Sequence, residues 1–167
     1  SSKVQTIVIS GALKKVLVDI YRNTHENIHV LHDAARAGQK RIKAKERKEL
    51  QQKFLSPFLD VQRFDKIIGY FGHLYSGRGI DIIESLSQKH PNHAFIVYGG
   101  NEEEIQYFKN KNLSDNLVFM GHLCPEKIPE AMSMMSVLLM PYQQTVSIGL
   151  DGVDTAKWMS PMKMFEY

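Results

Sequence analysis

The chain has 167 residues, 43% hydrophobic, 10% aromatic and 23% charged, with a formal net charge of +3. That is material for one ordinary soluble domain with extra segments and a real core. No apolar run approaches the roughly 18 residues that cross a bilayer, no secretory signal opens the sequence, and the lone Cys124 excludes an internal disulfide, in keeping with a reducing compartment.

Residues 6–9 (TIVI) predict a strand, Ser10 the N-cap of a helix reaching Tyr21, and residues 28–31 (IHVL) a second short strand. The charge then concentrates. Arg36, Lys40, Arg41, Lys43, Lys45, Arg47, Lys48 and Lys53 face only Glu46 and Glu49, a net +6 that leaves −3 for the rest. No aromatic interleaves these charges, which speaks against nucleic acid. A solvated connecting helix is the plain reading. An anionic membrane surface is the functional alternative, with Ile42, Leu50 and Phe54 as a thin apolar edge.

From residue 66 onward strands and helices alternate. The predicted strands are 66–72 (KIIGYFG), 94–99 (AFIVYG), 117–121 (LVFMG) and 137–141 (VLLMP). Between them fall helices over 79–90, from Glu102 through Lys109 and Lys111, and over 125–135. Short apolar runs without alternation, separated by helices, predict an α/β fold: a Rossmann-like, doubly wound parallel sheet that binds ligands at the carboxyl ends of its strands. Residues 142–159 have no clear periodicity and read as a long loop.

The loops after the strands are where chemistry is expected. Gly72-His73-Leu74-Tyr75-Ser76-Gly77-Arg78-Gly79 offers glycine bends, His73 and Arg78 before a helix: a diphosphate site, or a plain strand-to-helix turn. Gly99-Gly100, followed by three glutamates that would repel phosphate, reads as a turn alone. Gly121-His122-Leu123 offers backbone groups that could read a base edge, or another turn. The strongest element is Ser160-Pro161-Met162-Lys163-Met164-Phe165-Glu166-Tyr167. Proline suits the first helical position, the Met162 and Lys163 amides are free to meet an anion, and Glu166 can accept from a ribose diol. A capped surface helix with an ordinary glutamate is the alternative. This helix has only begun its apolar face when the sequence stops, which reads as a piece of something longer. The histidines show no metal-ligand spacing, and no metal is expected. There is no nucleophile elbow, no P-loop and no complete Gly-x-Gly-x-x-Gly. Trp158 reads as a loop anchor and the methionines 132–140 as core.

In this order, the Gly-His-Leu run with Arg78-Gly79, Val97-Tyr98-Gly99-Gly100, Val118-Phe119-Met120-Gly121, residues 137–141 and the terminal Ser-Pro-Met-Lys-Met-Phe-Glu-Tyr resemble the carboxyl half of retaining GT-B glycosyltransferases of family 4 (glycosyl transferases group 1). Residues 6–34 resemble the last strand, helix and linker of the amino-terminal half. The resemblance divides the chain into 1–34, the end of an amino-terminal domain with its linker; 35–65, a basic helical connector; and 66–167, an incomplete nucleotide-sugar-binding domain.

The resemblance implies donor binding by Gly72, His73, Arg78, His122, Leu123, Ser160, Pro161, Met162, Lys163 and Glu166, with Arg78 and Lys163 as the catalytic cations. Arg78 matches a residue that contacts the diphosphate; His73 replaces a common arginine; Glu166 matches the ribose-binding second glutamate of a Glu-x7-Glu pair. Trp158 stands where the first glutamate would be, so Asp151 or Asp154 is the candidate for sugar contact. It also implies a nucleoside diphosphate sugar as donor substrate with no cofactor or metal. The acceptor would be a glycan or glycolipid of bacterial surface polysaccharide or lipopolysaccharide synthesis, met through the amino-terminal half. The location implied is cytoplasmic, peripheral at the inner face of the membrane, and the 167-residue piece alone is expected to be inactive. A non-catalytic nucleotide-binding module and a GT-B sugar-nucleotide epimerase are the competing readings.

Overall fold

The computed structural model describes residues 4–20, 27–34, 42–111, 114–147, 154–159 and 163–167. Along them run β1 (Thr6–Val8), α1 (Gly11–Asp19), β2 (Ile28–Val30), α2 (Ala44–Leu55), β3 (Lys66–Phe71) and α3 (Ile80–Lys89). These are followed by β4 (His93–Tyr98), α4 (Glu102–Lys109), β5 (Leu117–Gly121), α5 (Ile128–Met134), β6 (Val137–Leu138) and α6 (Lys163–Glu166). β1 and β2 fall within residues 1–34, α2 within 35–65, and the larger sheet within 66–167.

That sheet has the order β5-β4-β3-β6, with every pair parallel. Its side chains alternate between two buried layers, so both faces are covered. One layer joins Ile67, Phe71, Ala94, Ile96 and Tyr98 to Leu55, Met132 and Met135 from the side of α2 and α5. The other joins Tyr70, Phe95, Val97, Leu117 and Phe119 to Ile80 and Ile83 of α3. This is the doubly wound Rossmann-like arrangement, and it explains why the strands read as continuous apolar runs: neither face meets water. Of the methionines 132–140 expected as core, Met132, Met134 and Met135 are buried and Met140 is half-buried.

Several boundaries depend on single residues. Asn101 and Glu104 close a reciprocal capping box that starts α4, each side chain accepting from the other's backbone N–H at 2.8 Å. The helix predicted over 125–135 begins instead as a 3-10 turn (Pro125–Lys127). The α-type bond to the Pro125 carbonyl would come from residue 129, a proline without an N–H, so Ile128 donates to it instead. β6 is shorter than the predicted 137–141. Leu139 still donates to Gly69 at 2.8 Å, but the next donor in that ladder position would be Pro141, which has none.

The basic segment contributes a packed helix. α2 lies against α5, where Arg47 Nε and Gln51 Nε2 donate to the carbonyls of Ser133 (3.2 Å) and Met134 (2.6 Å). These serve the last turn of α5, whose carbonyls have no partner within the helix. Leu50 of the expected apolar edge packs against the core, while Phe54 stays at the surface with Lys53 above its ring.

At the other end of the sequence, β1 and β2 form a separate parallel pair with Val8 and Ile28 buried. Ser10 caps α1 by accepting from Leu13 N–H (3.1 Å), and its hydroxyl donates to the Trp158 carbonyl (2.8 Å), tying this pair to the far end of the chain.

Replacing the buried Gln51 with Leu keeps its bulk and strands the Met134 carbonyl. The expected loss is about 1–3 kcal/mol, read as a lower urea midpoint with an unchanged slope. An unshifted midpoint would show that this bond contributes nothing.

Candidate functional site

The sheet order places a topological switch point between β3 and β6. From β3 the chain winds outward to β4 and β5, then returns to β6 on the opposite side of β3. The connections leaving β3 and β6 therefore part in opposite directions and open a crevice at their carboxyl ends, the usual place for a ligand in such sheets.

Divergence leaves a polar problem on Phe71: β6 ends before it can meet the Phe71 N–H, and Pro141 has no N–H for the Phe71 carbonyl. The Tyr167 hydroxyl solves it: Phe71 N–H donates to it (3.3 Å), and it donates to the Phe71 carbonyl (3.4 Å). Burial pushes the Tyr167 phenol well above the usual tyrosine range, so it keeps the proton it donates. One turn earlier on α6, Lys163 reaches back over β3. Its ammonium lies 5.6 Å from the centre of the Tyr70 ring and presses against Gly72. Gly72 has φ +152°, and a Cβ there would collide with the lysine Nζ and Cε. Tyr70, also pushed up by burial, donates to the His73 carbonyl (2.8 Å) and fixes the bend that follows.

Around this point lies a cavity of about 280 Å³. Six of the sequence-predicted site residues line it: Gly72, His73, His122, Leu123, Lys163 and Glu166. Lys163 brings a full positive charge and Glu166 a negative one; His73 is exposed and stacked on Tyr75, with ring centres 4.8 Å apart. Gly99 and Gly100, expected only to turn the chain, form part of the wall, together with Tyr98, Ile128 and Met132. Their position at the carboxyl end of an internal strand was the signal for this. The three following glutamates, which argued against it, open α4 instead, with Glu104 committed to the capping box.

Arg78 does not line the cavity. Its Nη1 donates to the Tyr142 hydroxyl (2.8 Å), and its Nε is buried with no hydrogen-bond partner among the described residues. Lys163 meets the same ring, its ammonium 5.5 Å from the centre. Tyr142 had no signal in the sequence beyond following the proline that ends β6.

Ser160, Pro161, Met162 and Asp151 lie outside the described residues. Asp154 is engaged within its own loop: one carboxylate oxygen accepts from both Val146 and Ala156 N–H, each at 2.9 Å. Thr155 returns two bonds to the Val146 carbonyl, from its N–H and its hydroxyl, both 3.0 Å. The backbone carbonyl of Trp158 accepts from the Ser10 hydroxyl (2.8 Å). Among the described residues no three His, Cys, Asp or Glu gather to hold a metal ion, and no helix is long and apolar enough to cross a membrane.

Solved structures share this architecture. Anabaena HepE, solved in complex with UDP and glucose, superposes with a TM-score of 0.57 at 18% identity, covering 80% of this chain and 36% of HepE. A glycosyltransferase from Rickettsia africae matches at TM-score 0.57 and 15% identity, over 83% of this chain and 38% of its own. The catalytic domain of Arabidopsis thaliana starch synthase IV, bound to ADP and acarbose, matches at 0.55 and 11%, over 93% and 43%. The chain thus spans about two fifths of the length of these proteins. No family model and no curated protein matches the sequence.

Two outcomes follow from the geometry. Tyr167→Phe deprives both Phe71 groups of their partner and should lower stability by about 1–2 kcal/mol, with faster exchange of the Phe71 amide; unchanged exchange would contradict this role. The Asp154 carboxyl is held below its ordinary value by the Ala156 and then the Val146 N–H. Its charged form therefore holds the loop above the unfolded value of about 3.9, and that hold fades as pH falls through the lowered one. Amide resonances of Val146 and Ala156 should titrate together with a midpoint below about 3.9. A midpoint at or above that value, or an unchanged titration in Asp154→Ala, would refute it.

Proposed function

We propose that this protein is a glycosyltransferase that takes its sugar from a nucleoside diphosphate sugar, and that the described crevice holds the donor. The observation that carries the reading is the cavity at the switch point of β3 and β6, where Gly72, Lys163 and Glu166 come together with the ends of β4 and β5. Fold likeness alone would not support an activity, since one fold hosts many. The chemistry of the lining does. Its volume is near the lower end of small-molecule sites, roughly 300–1,000 Å³, and suits part of such a donor.

In this reading Glu166 accepts from the two ribose hydroxyls, and the exposed backbone around His122 and Leu123 meets the base. Lys163 faces the diphosphate, with Arg78 nearby behind Tyr142. As the glycosidic bond breaks, negative charge grows on the departing diphosphate. Fixed cations that are already in place stabilise that charge more than they stabilise the bound substrate, which lowers the barrier. Positive charge supplied by the chain itself makes a metal ion unnecessary. The Met162 and Lys163 N–H groups would contribute backbone donors, while Pro161 has none to give. Asp151 is the remaining candidate for the sugar, because Asp154 already accepts two backbone N–H groups. The transfer retains configuration at the sugar and builds a bacterial surface polysaccharide or lipopolysaccharide. The acceptor, a glycan or glycolipid, is met by an amino-terminal half that this chain represents only in part. The enzyme works in the cytoplasm, at or near the inner face of the membrane.

Titration of the full-length protein with UDP-, GDP- and ADP-sugars tests the assignment. One of them should raise the melting temperature and bind measurably by calorimetry. Lys163→Ala should weaken that binding about 10- to 100-fold, the scale of a lost hydrogen bond to a charged group, and Glu166→Ala about tenfold. No stabilisation by any nucleotide would overturn the donor reading.

A further inference from the structure

We propose that Tyr142 is a positioning residue that holds Arg78 and Lys163 together as a single diphosphate-recognising unit. This rests on the donor reading above and goes beyond it by assigning a role to a side chain outside the cavity lining. Arg78 comes from the turn before α3 and Lys163 from α6, so two elements far apart in sequence bring like charges to one ring. The Arg78 guanidinium carbon lies 4.9 Å from the Tyr142 ring centre while Nη1 donates to the hydroxyl, and the Lys163 ammonium lies 5.5 Å from the same centre.

Two cations brought near each other repel, and a carboxylate between them would be the ordinary remedy. Among the described residues neither Arg78 nor Lys163 makes an ion pair. Tyr142 attracts both through the negative face of its ring and a hydroxyl oxygen, without cancelling their charge. A carboxylate there would compete with an arriving phosphate. A tyrosine gives Nη1 a neutral partner and leaves the full positive charge of both side chains in place.

The ring can act this way only if its backbone is fixed, and it is. Pro141 packs its carbonyl against Gly79 so closely that a Cβ on that glycine (φ +83°) would overlap it. On the other side Gln143 N–H donates to the Gly77 carbonyl (2.9 Å), and Gln143 Nε2 donates to the Asp81 carboxylate (2.8 Å). Further on, Ser147 N–H donates to the Ser76 carbonyl (3.0 Å). The segment carrying Tyr142 is thus laced to the turn carrying Arg78.

The test compares a nucleoside diphosphate with its monophosphate in the full-length protein, using whichever of UDP, GDP or ADP binds the parent best. Tyr142→Leu should weaken diphosphate binding about tenfold or more while changing monophosphate binding less than about twofold, because the nucleoside contacts lie elsewhere. Tyr142→Phe keeps the ring and the packing and should lose only the Arg78-dependent share, so it adds nothing when Arg78 is already Gln. Thermal unfolding of Tyr142→Phe checks that the fold persists. Equal losses for mono- and diphosphate, or additive effects of Tyr142→Phe and Arg78→Gln, would overturn the positioning role while leaving the donor reading intact. Failure of the parent to bind any of the three diphosphates would overturn both.

Discussion

Two parallel strands that part company leave backbone groups with nowhere to bond, and the crevice of this protein is arranged around that constraint. β3 and β6 are joined by Leu139 donating to Gly69. At the next position Pro141 has no N–H to offer the Phe71 carbonyl, and with β6 ended at Leu138 the Phe71 N–H also finds its partner outside the ladder. A tyrosine hydroxyl can donate and accept at once, and Tyr167 does both. The missing ladder bond thereby becomes an attachment point for α6.

Because α6 is held at Tyr167, its residue four positions earlier lies on the same side and overhangs β3. Lys163 therefore meets Gly72, Tyr70 and Tyr142 from a determined position, and Glu166 faces the same cavity. Separately, Pro141 packs on Gly79 and sends Tyr142 toward Arg78. One proline thus ends a strand, vacates a ladder site and sets the entry of the loop that carries the bridging ring. The loop itself is closed by Asp154 and Thr155 on Val146, and docked through Trp158 on Ser10.

Where the fold was legible, periodicity and turn chemistry agreed. The runs KIIGYF, HAFIVY and LVFMG became β3, β4 and β5 to within a residue of their expected bounds, since short apolar runs cannot be exposed on either face. The errors fell where a proline acted at a distance of four residues or across a strand. Pro129 turned the start of α5 into a 3-10 turn, and Pro141 cut β6 short. The basic segment showed its charge in the sequence but not its use. Arg47 and Gln51 serve the carbonyls that end α5, a helix some eighty residues away.

The sequence by itself determined the element types, the doubly wound parallel class and the strand-end loops, with Gly72, His73, His122, Lys163 and Glu166, that border the cavity. Those depend on local pattern: period, caps and the conformations open to glycine and proline. The tertiary structure alone decided which residues meet. It drew Gly99 and Gly100 into the wall, committed one Asp154 oxygen to its own loop, and put Tyr142 between Arg78 and Lys163. Such pairings follow from the strand order and from hydrogen bonds that close between residues 64 to 148 positions apart, and local sequence does not encode which distant backbone group will be left in need of a partner.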